Sequence, residues 1–149
     1  MAHAQQQILD ALHSVLAAGG TVAAGRVFVD PIDPLQPAQL PAIVLEESSS
    51  GESAEPFTIS SLERRELTVQ VHCIISHKSS AAADTRAFGL AVEKLLAASP
   101  TLAALASQGW HMTSSRPVLN GDAEILFASR LQTWVFAYLV RPEAPDILL

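Results

Sequence analysis

Between Leu67 and Ile75 apolar side chains fall at every second position, Leu67, Val69, Val71, Cys73 and Ile75. A period of two is that of a strand with one buried face, so this stretch predicts the strand around which the chain is organised. The alternate positions, Thr68, Gln70, His72 and Ile74, are polar enough to meet solvent, a channel or a neighbour. Upstream, Ile8, Leu9, Leu12, Val15 and Leu16 recur at helical spacing among Gln5, Gln6, Asp10, His13 and Ser14. That spacing predicts an amphipathic helix from about Ala4 to Ala18, which Gly19-Gly20 ends by supplying a left-handed cap. Arg26-Val-Phe-Val29 predicts a short strand, stopped at Asp30-Pro-Ile-Asp-Pro34 by prolines without N–H groups and turn-favouring aspartates. Leu40-Pro-Ala-Ile-Val-Leu-Glu46 predicts a second strand, with Pro41 at its start or at an edge.

Residues 47–61 break the pattern. The first half is polar and serine-rich, and the second carries Phe57 and Ile59. This segment is expected to be a long polar loop, removable from Ser48 to Ser60 without loss of the fold, and loops of that length are commonly functional or disordered. Glu63-Arg-Arg-Glu66 then leads into the organising strand with alternating charge. From about Ser79 to Ala98 the pattern returns to a helical period, with Ala87, Phe88, Ala91, Val92, Leu95 and Leu96 on one face. Ser79 or Ser80 is the expected N-cap and Ser99-Pro100 the stop, with one more turn over Thr101–Ala106. Trp110–Val118 predicts a further strand leading to the turn Asn120-Gly121-Asp122, and Glu124–Val140 a long last strand. Both alternating sets of that strand become apolar after Thr133, so its end is expected to be covered on both faces or to lie at a subunit boundary.

Composition narrows the class. The chain of 149 residues suits a single domain, residues 1–149, and the patterns together support an α+β fold with a C-terminal tail over 142–149. Apolar residues make up 49% and charged ones 16%, with a mean hydropathy of +0.28, so apolar surface is expected at subunit contacts. No apolar run reaches the roughly 20 residues of a membrane-spanning helix. The N-terminal stretch lacks the pattern of a secretory signal, so the protein is expected to stay where it is made. The formal net charge of -6 and the scattered Lys and Arg argue against phosphate-backbone binding.

Candidate chemistry is sparse. His3, His13, His72, His77 and His111 follow no metal-ligand spacing, and His72 and Cys73 point to opposite faces of their strand. Gly19-Gly20 and Gly25 make no phosphate loop, and no serine sits in a nucleophile elbow. The carboxylate pairs Asp30 with Asp33 and Glu46 with Glu47 suit local hydrogen bonding at turns and strand ends. No catalytic residue, metal or cofactor is expected. The lone Cys73 predicts a packing role.

The order of elements, and above all Leu40-Pro-Ala-Ile-Val-Leu45 and Arg65-Glu-Leu-Thr-Val-Gln-Val71, resembles the tail terminator, or tail-completion, proteins of long-tailed bacteriophages, over about Ile8 to Val140. The resemblance implies a mixed, mostly antiparallel sheet of about four to five strands backed by two main helices. It also implies a homohexameric ring that caps the tail tube and meets the head-completion proteins. The partners are then the chain itself, the tail tube protein and the connector, with DNA only passing through; the place is the virion, or the host cytoplasm during assembly. Glu47, Ser48, Glu52, Glu55, Phe57 and Ile59 are expected to form a tube-docking arm. Glu63, Arg64, Arg65 and Glu66, with Trp134, Phe136, Tyr138, Ile147, Leu148 and Leu149, are the expected subunit interface. The alternatives are a head-tail adaptor, head-closure or other minor tail protein and, in another class, a small ligand-binding or enzymatic α+β domain.

Overall fold

The computed structural model describes residues 2–57, 61–76, 80–120 and 127–149. Among them the organising alternation lies in a strand that begins earlier than its apolar run, β3 (Glu63–Ser76). Leu67, Val69, Val71 and Cys73 are fully buried, while Thr68, Gln70, His72 and Ile74 are half-buried. β3 sits between β2 (Ala42–Pro56) and β5 (Phe127–Val140), antiparallel to both. β1 (Val27–Val29) runs parallel to β2 on one side, and β4 (Trp110–Asn120) pairs antiparallel with β5 on the other. The result is a mixed, mostly antiparallel five-stranded sheet of order β1-β2-β3-β5-β4 in a single α+β domain.

The helices form where the apolar period changes to that of a helix. α1 (Ala4–Ala18) buries Ile8, Leu12 and Leu16, and ends where Gly20 takes φ +69°, a backbone region open to glycine at little cost. α2 (Ala81–Ala97) buries Phe88, Val92 and Leu96, and the one-turn α3 (Pro100–Leu105) buries Leu102. Ser99 caps α3, its Oγ accepting the Leu102 N–H at 3.2 Å, and Pro100 fills the first helical position, where no N–H is required. These faces share one core with the inner side of the sheet, including Leu67, Val69, Trp134, Phe136 and Tyr138. Each large apolar side chain buried there contributes about 1.5–3 kcal/mol.

One buried polar group fixes how α2 meets the sheet. Gln132 is fully buried on the inner face; its Nε2 donates to the Gly89 carbonyl at 2.9 Å and its Oε1 accepts from Trp134 Nε1 at 3.1 Å. Gly89 permits the approach, since a β-carbon there would lie 3.0 Å from both Gln132 Nε2 and Arg130 Cδ. Sequence periodicity carries no sign of this contact, because Arg130 and Gln132 are the two polar members of the inward set and read as a solvated stretch.

The expected polar loop over 47–61 is corrected as far as Pro56. β2 continues through it, paired with β3 from Glu52↔Leu67 to Pro56↔Glu63 beyond a register irregularity between Glu47 and Glu52. Serine, glycine and glutamate have low strand propensity, but backbone pairing with β3 overrides it, and beyond Leu45 this strand has no β1 partner and meets water. Ile59, the turn at 120–122 and the predicted strand start at 124–126 lie wholly or partly outside the described residues. Because β2 supplies ladder bonds and a carboxylate to Arg65, deleting Ser48–Pro56 is expected to lower the thermal midpoint by roughly 5 °C or more. Differential scanning calorimetry checks this; an unchanged midpoint would restore the loop reading.

Candidate functional site

Pairing across the strands sorts every side chain of the sheet onto one of two faces. The inner face is the core. The outer face carries Val44, Leu131 and Ala137, buried among the half-buried Gln70, His72, Thr133, Val135 and Leu139. Among the described residues no helix covers it. His72 Nε2 donates to Glu46 Oε1 at 2.7 Å on this face, across the β2–β3 pair.

This geometry corrects three of the expected interface residues. Trp134, Phe136 and Tyr138 are 4%, 0% and 0% exposed and belong to the core, because their even-numbered set faces the helices. Both sets read as apolar in sequence, and only the pairing of β5 with β3 decides which of them turns inward. The opposite set, through Val135 and Leu139, is the one left accessible. In the tail, Ile147 and Leu149 are exposed and Leu148 packs against the core. The tail is tied down, with the Leu149 N–H donating to the Leu139 carbonyl at 3.1 Å and Gln7 Nε2 donating to the Asp146 carbonyl at 2.7 Å.

Glu63, Arg64, Arg65 and Glu66 lie within β3 and are engaged inside the subunit. Alternation puts Arg65 and Glu63 on the inner face, where Arg65 Nε donates to Glu63 Oε1 at 2.6 Å and Arg65 NH1 to Glu52 Oε2 at 3.3 Å. Gln5 Nε2 donates to the same Glu52 oxygen at 2.7 Å, so the cluster joins α1 to the sheet. Arg64 and Glu66 pair on the outer face, with Glu55 at 3.5 Å from Arg64 across the strands. Of the expected docking arm, Glu47, Ser48, Glu52 and Glu55 are therefore residues of the edge strand β2, with Phe57 exposed just beyond it.

A second feature is a cleft of about 410 Å³ between the loops before β1 and β2 and the start of α2. Val22, Leu40, Pro41, Ile75 and Phe88 make it apolar, and Asp84 at its rim accepts a hydrogen bond from Ser80 Oγ at 2.8 Å. Among the described residues no three His, Cys, Asp or Glu side chains gather as a metal ion would need, and no helix is long and apolar enough to cross a membrane. Burial pushes the Cys73 thiol up to about 12, with the nearby Arg130 guanidinium opposing the shift in part. The thiolate is the reactive form, so this cysteine is held in its inert state.

No protein-family model matches the chain, and no curated protein matches it.

Two outcomes test these placements. Phe136→Ala should lose about 3–5 kcal/mol of stability in denaturant unfolding, whereas Leu139→Ala on the accessible face should change it by about 1 kcal/mol or less. The Cys73 thiol is raised in the folded state, so the native protein holds its proton longer than the unfolded chain. Its contribution is then complete below about pH 9 and is lost as pH rises toward about 12. Stability should decline with pH across that window more steeply for the wild type than for Cys73→Ala, by up to about tenfold in the folding constant per pH unit.

Proposed function

We propose that this chain is a structural assembly subunit, a tail terminator whose copies form a ring capping a phage tail tube and joining it to head-completion proteins. The observation that carries this reading is the outer face of the sheet. It is a broad surface of mixed apolar and polar side chains with no α-helix over it among the described residues, set on a domain whose α1, α2 and α3 bury their apolar faces on the inner side. Surfaces of that character serve as contacts between macromolecules. The order of elements and the two segments Leu40–Leu45 and Arg65–Val71 support the terminator role in particular. The net charge of -6 suits a channel through which DNA slides without being held, since a basic lumen would bind its phosphates. The proposed partners are the chain itself, the tail tube and the connector, and the proposed place is the head–tail junction of the virion.

The apolar cleft beside Phe88 favours a second reading, a small-ligand α+β domain. An adaptor or head-closure protein is a third, with the contact on the portal side. Native mass spectrometry combined with electron microscopy of purified tail tubes separates them. A closed ring, expected to be a hexamer, that decorates one end of the tubes supports termination. A ring that binds portal complexes and ignores tubes indicates the adaptor, and a monomer that binds a metabolite overturns the assembly reading.

A further inference from the structure

The two open edges of the sheet carry opposite charge. β2 contains four glutamates, Glu46, Glu47, Glu52 and Glu55, and no Lys or Arg, and past Leu45 its outer side has no strand partner among the described residues. β4, the other edge, contains Arg116 and His111 and no carboxylate. Register places Arg116 on the outer face of β4. On its inner side Arg86 of α2 and Arg130 of β5 line a groove of about 260 Å³, in which Glu93 is the acidic residue. Arg130 NH1 donates to Ser115 Oγ at 3.0 Å, and its Nε is buried without a hydrogen-bond partner among the described residues. The five ion pairs of the described residues lie in β2 and β3, and none of them uses Arg86, Arg116 or Arg130. Glu47, exposed on the opposite edge, has no ion-pair partner among the described residues either.

We infer that these edges are the two halves of one head-to-tail contact, in which the acidic β2 edge of one copy seats against the Arg86–Arg116–Arg130 edge of the next. The inference rests on the ring reading above and names its junction. A head-to-tail ring needs two different complementary patches on each subunit, and β2 and β4 stand three strand spacings, about 14 Å, apart on opposite flanks of the sheet. The occupant of each edge is a second copy because the arginines that lack ion pairs on one edge match the charge that Glu47 and the loosely paired, exposed Glu55 present on the other. The contact is made by side chains and is not a continued ladder. Pro117 offers no N–H, and the registers slip at Met112/Ser114 and at Glu47/Glu52, the devices by which edge strands resist indiscriminate pairing.

Charge exchange on exposed positions tests the junction. Arg86→Glu with Arg116→Glu, and separately Glu47→Arg with Glu55→Arg, should each raise the concentration for half-assembly by about tenfold or more. The thermal midpoint of the subunit, measured in parallel, should stay near the wild-type value, and Arg130→Gln should weaken assembly in the same direction. Mixing the two variant proteins should restore assembly with the two kinds alternating, because one then carries two acidic edges and the other two basic ones, so that every contact between unlike copies is complementary. Placing all four substitutions in one chain should restore the ring. If the wild type forms a ring and both variants assemble as it does, the junction is wrong while the ring stands. If the wild type stays monomeric at every concentration, the ring and its junction both fall.

Discussion

Every residue of β3 has a partner in β5, from Glu63↔Val140 to Ser76↔Phe127. This antiparallel pair constrains the rest of the molecule. It decides which alternating set of each strand turns toward the helices, and so which surface is core and which remains for other molecules. α1 and α2 then have only one apolar floor on which to bury Ile8, Leu12, Phe88 and Leu96. β2 and β4 complete the sheet as flanks of this pair, and β1 adds three residues to β2.

Much of this was legible in the sequence, for physical reasons that differ between elements. The organising strand and both long helices announce themselves because one face of each is buried and the other is not. β1 is short, yet the Asp-Pro pairs that stop it are strong signals. β2 was underestimated because an edge strand with water beside it needs no apolar residues; its existence rests on backbone bonds, which leave no mark on composition. The fate of Trp134, Phe136 and Tyr138 could not be read because both faces of β5 are apolar near its end, and a period of two with no contrast in polarity carries no direction. The charges at Glu63–Glu66 were visible, but not their partners: Glu52 and Gln5 come from distant parts of the chain.

The proposed role also gives a sense to the distribution of charge. With charged residues at only 16% of the chain, the placement of each one weighs heavily. Glu52, Glu63 and Arg65 are drawn into a cluster that fastens the first helix to the sheet. Among the described residues the arginines on the far flank are left without such partners, Arg116 on the outer face of the sheet and Arg86 and Arg130 in a groove beside α2. An enclosed fold stabilises itself by pairing its charges internally. A subunit that must find copies of itself can leave some of that pairing to be completed between molecules.

Gln132 has a consequence for how the chain reaches this arrangement. Sliding β5 along β3 by two residues would keep every side chain on its proper face, so burial of apolar area alone discriminates weakly against that error. In the slipped state the carbonyl of Gly89 would face an arginine or an indole in place of the amide, and Gln132 would be sealed in the core with its amide unmatched. A single glutamine set opposite a single glycine thus works as an index mark. It raises the energy of misaligned intermediates that hydrophobic collapse would otherwise tolerate, and it leaves the sheet one alignment in which to settle.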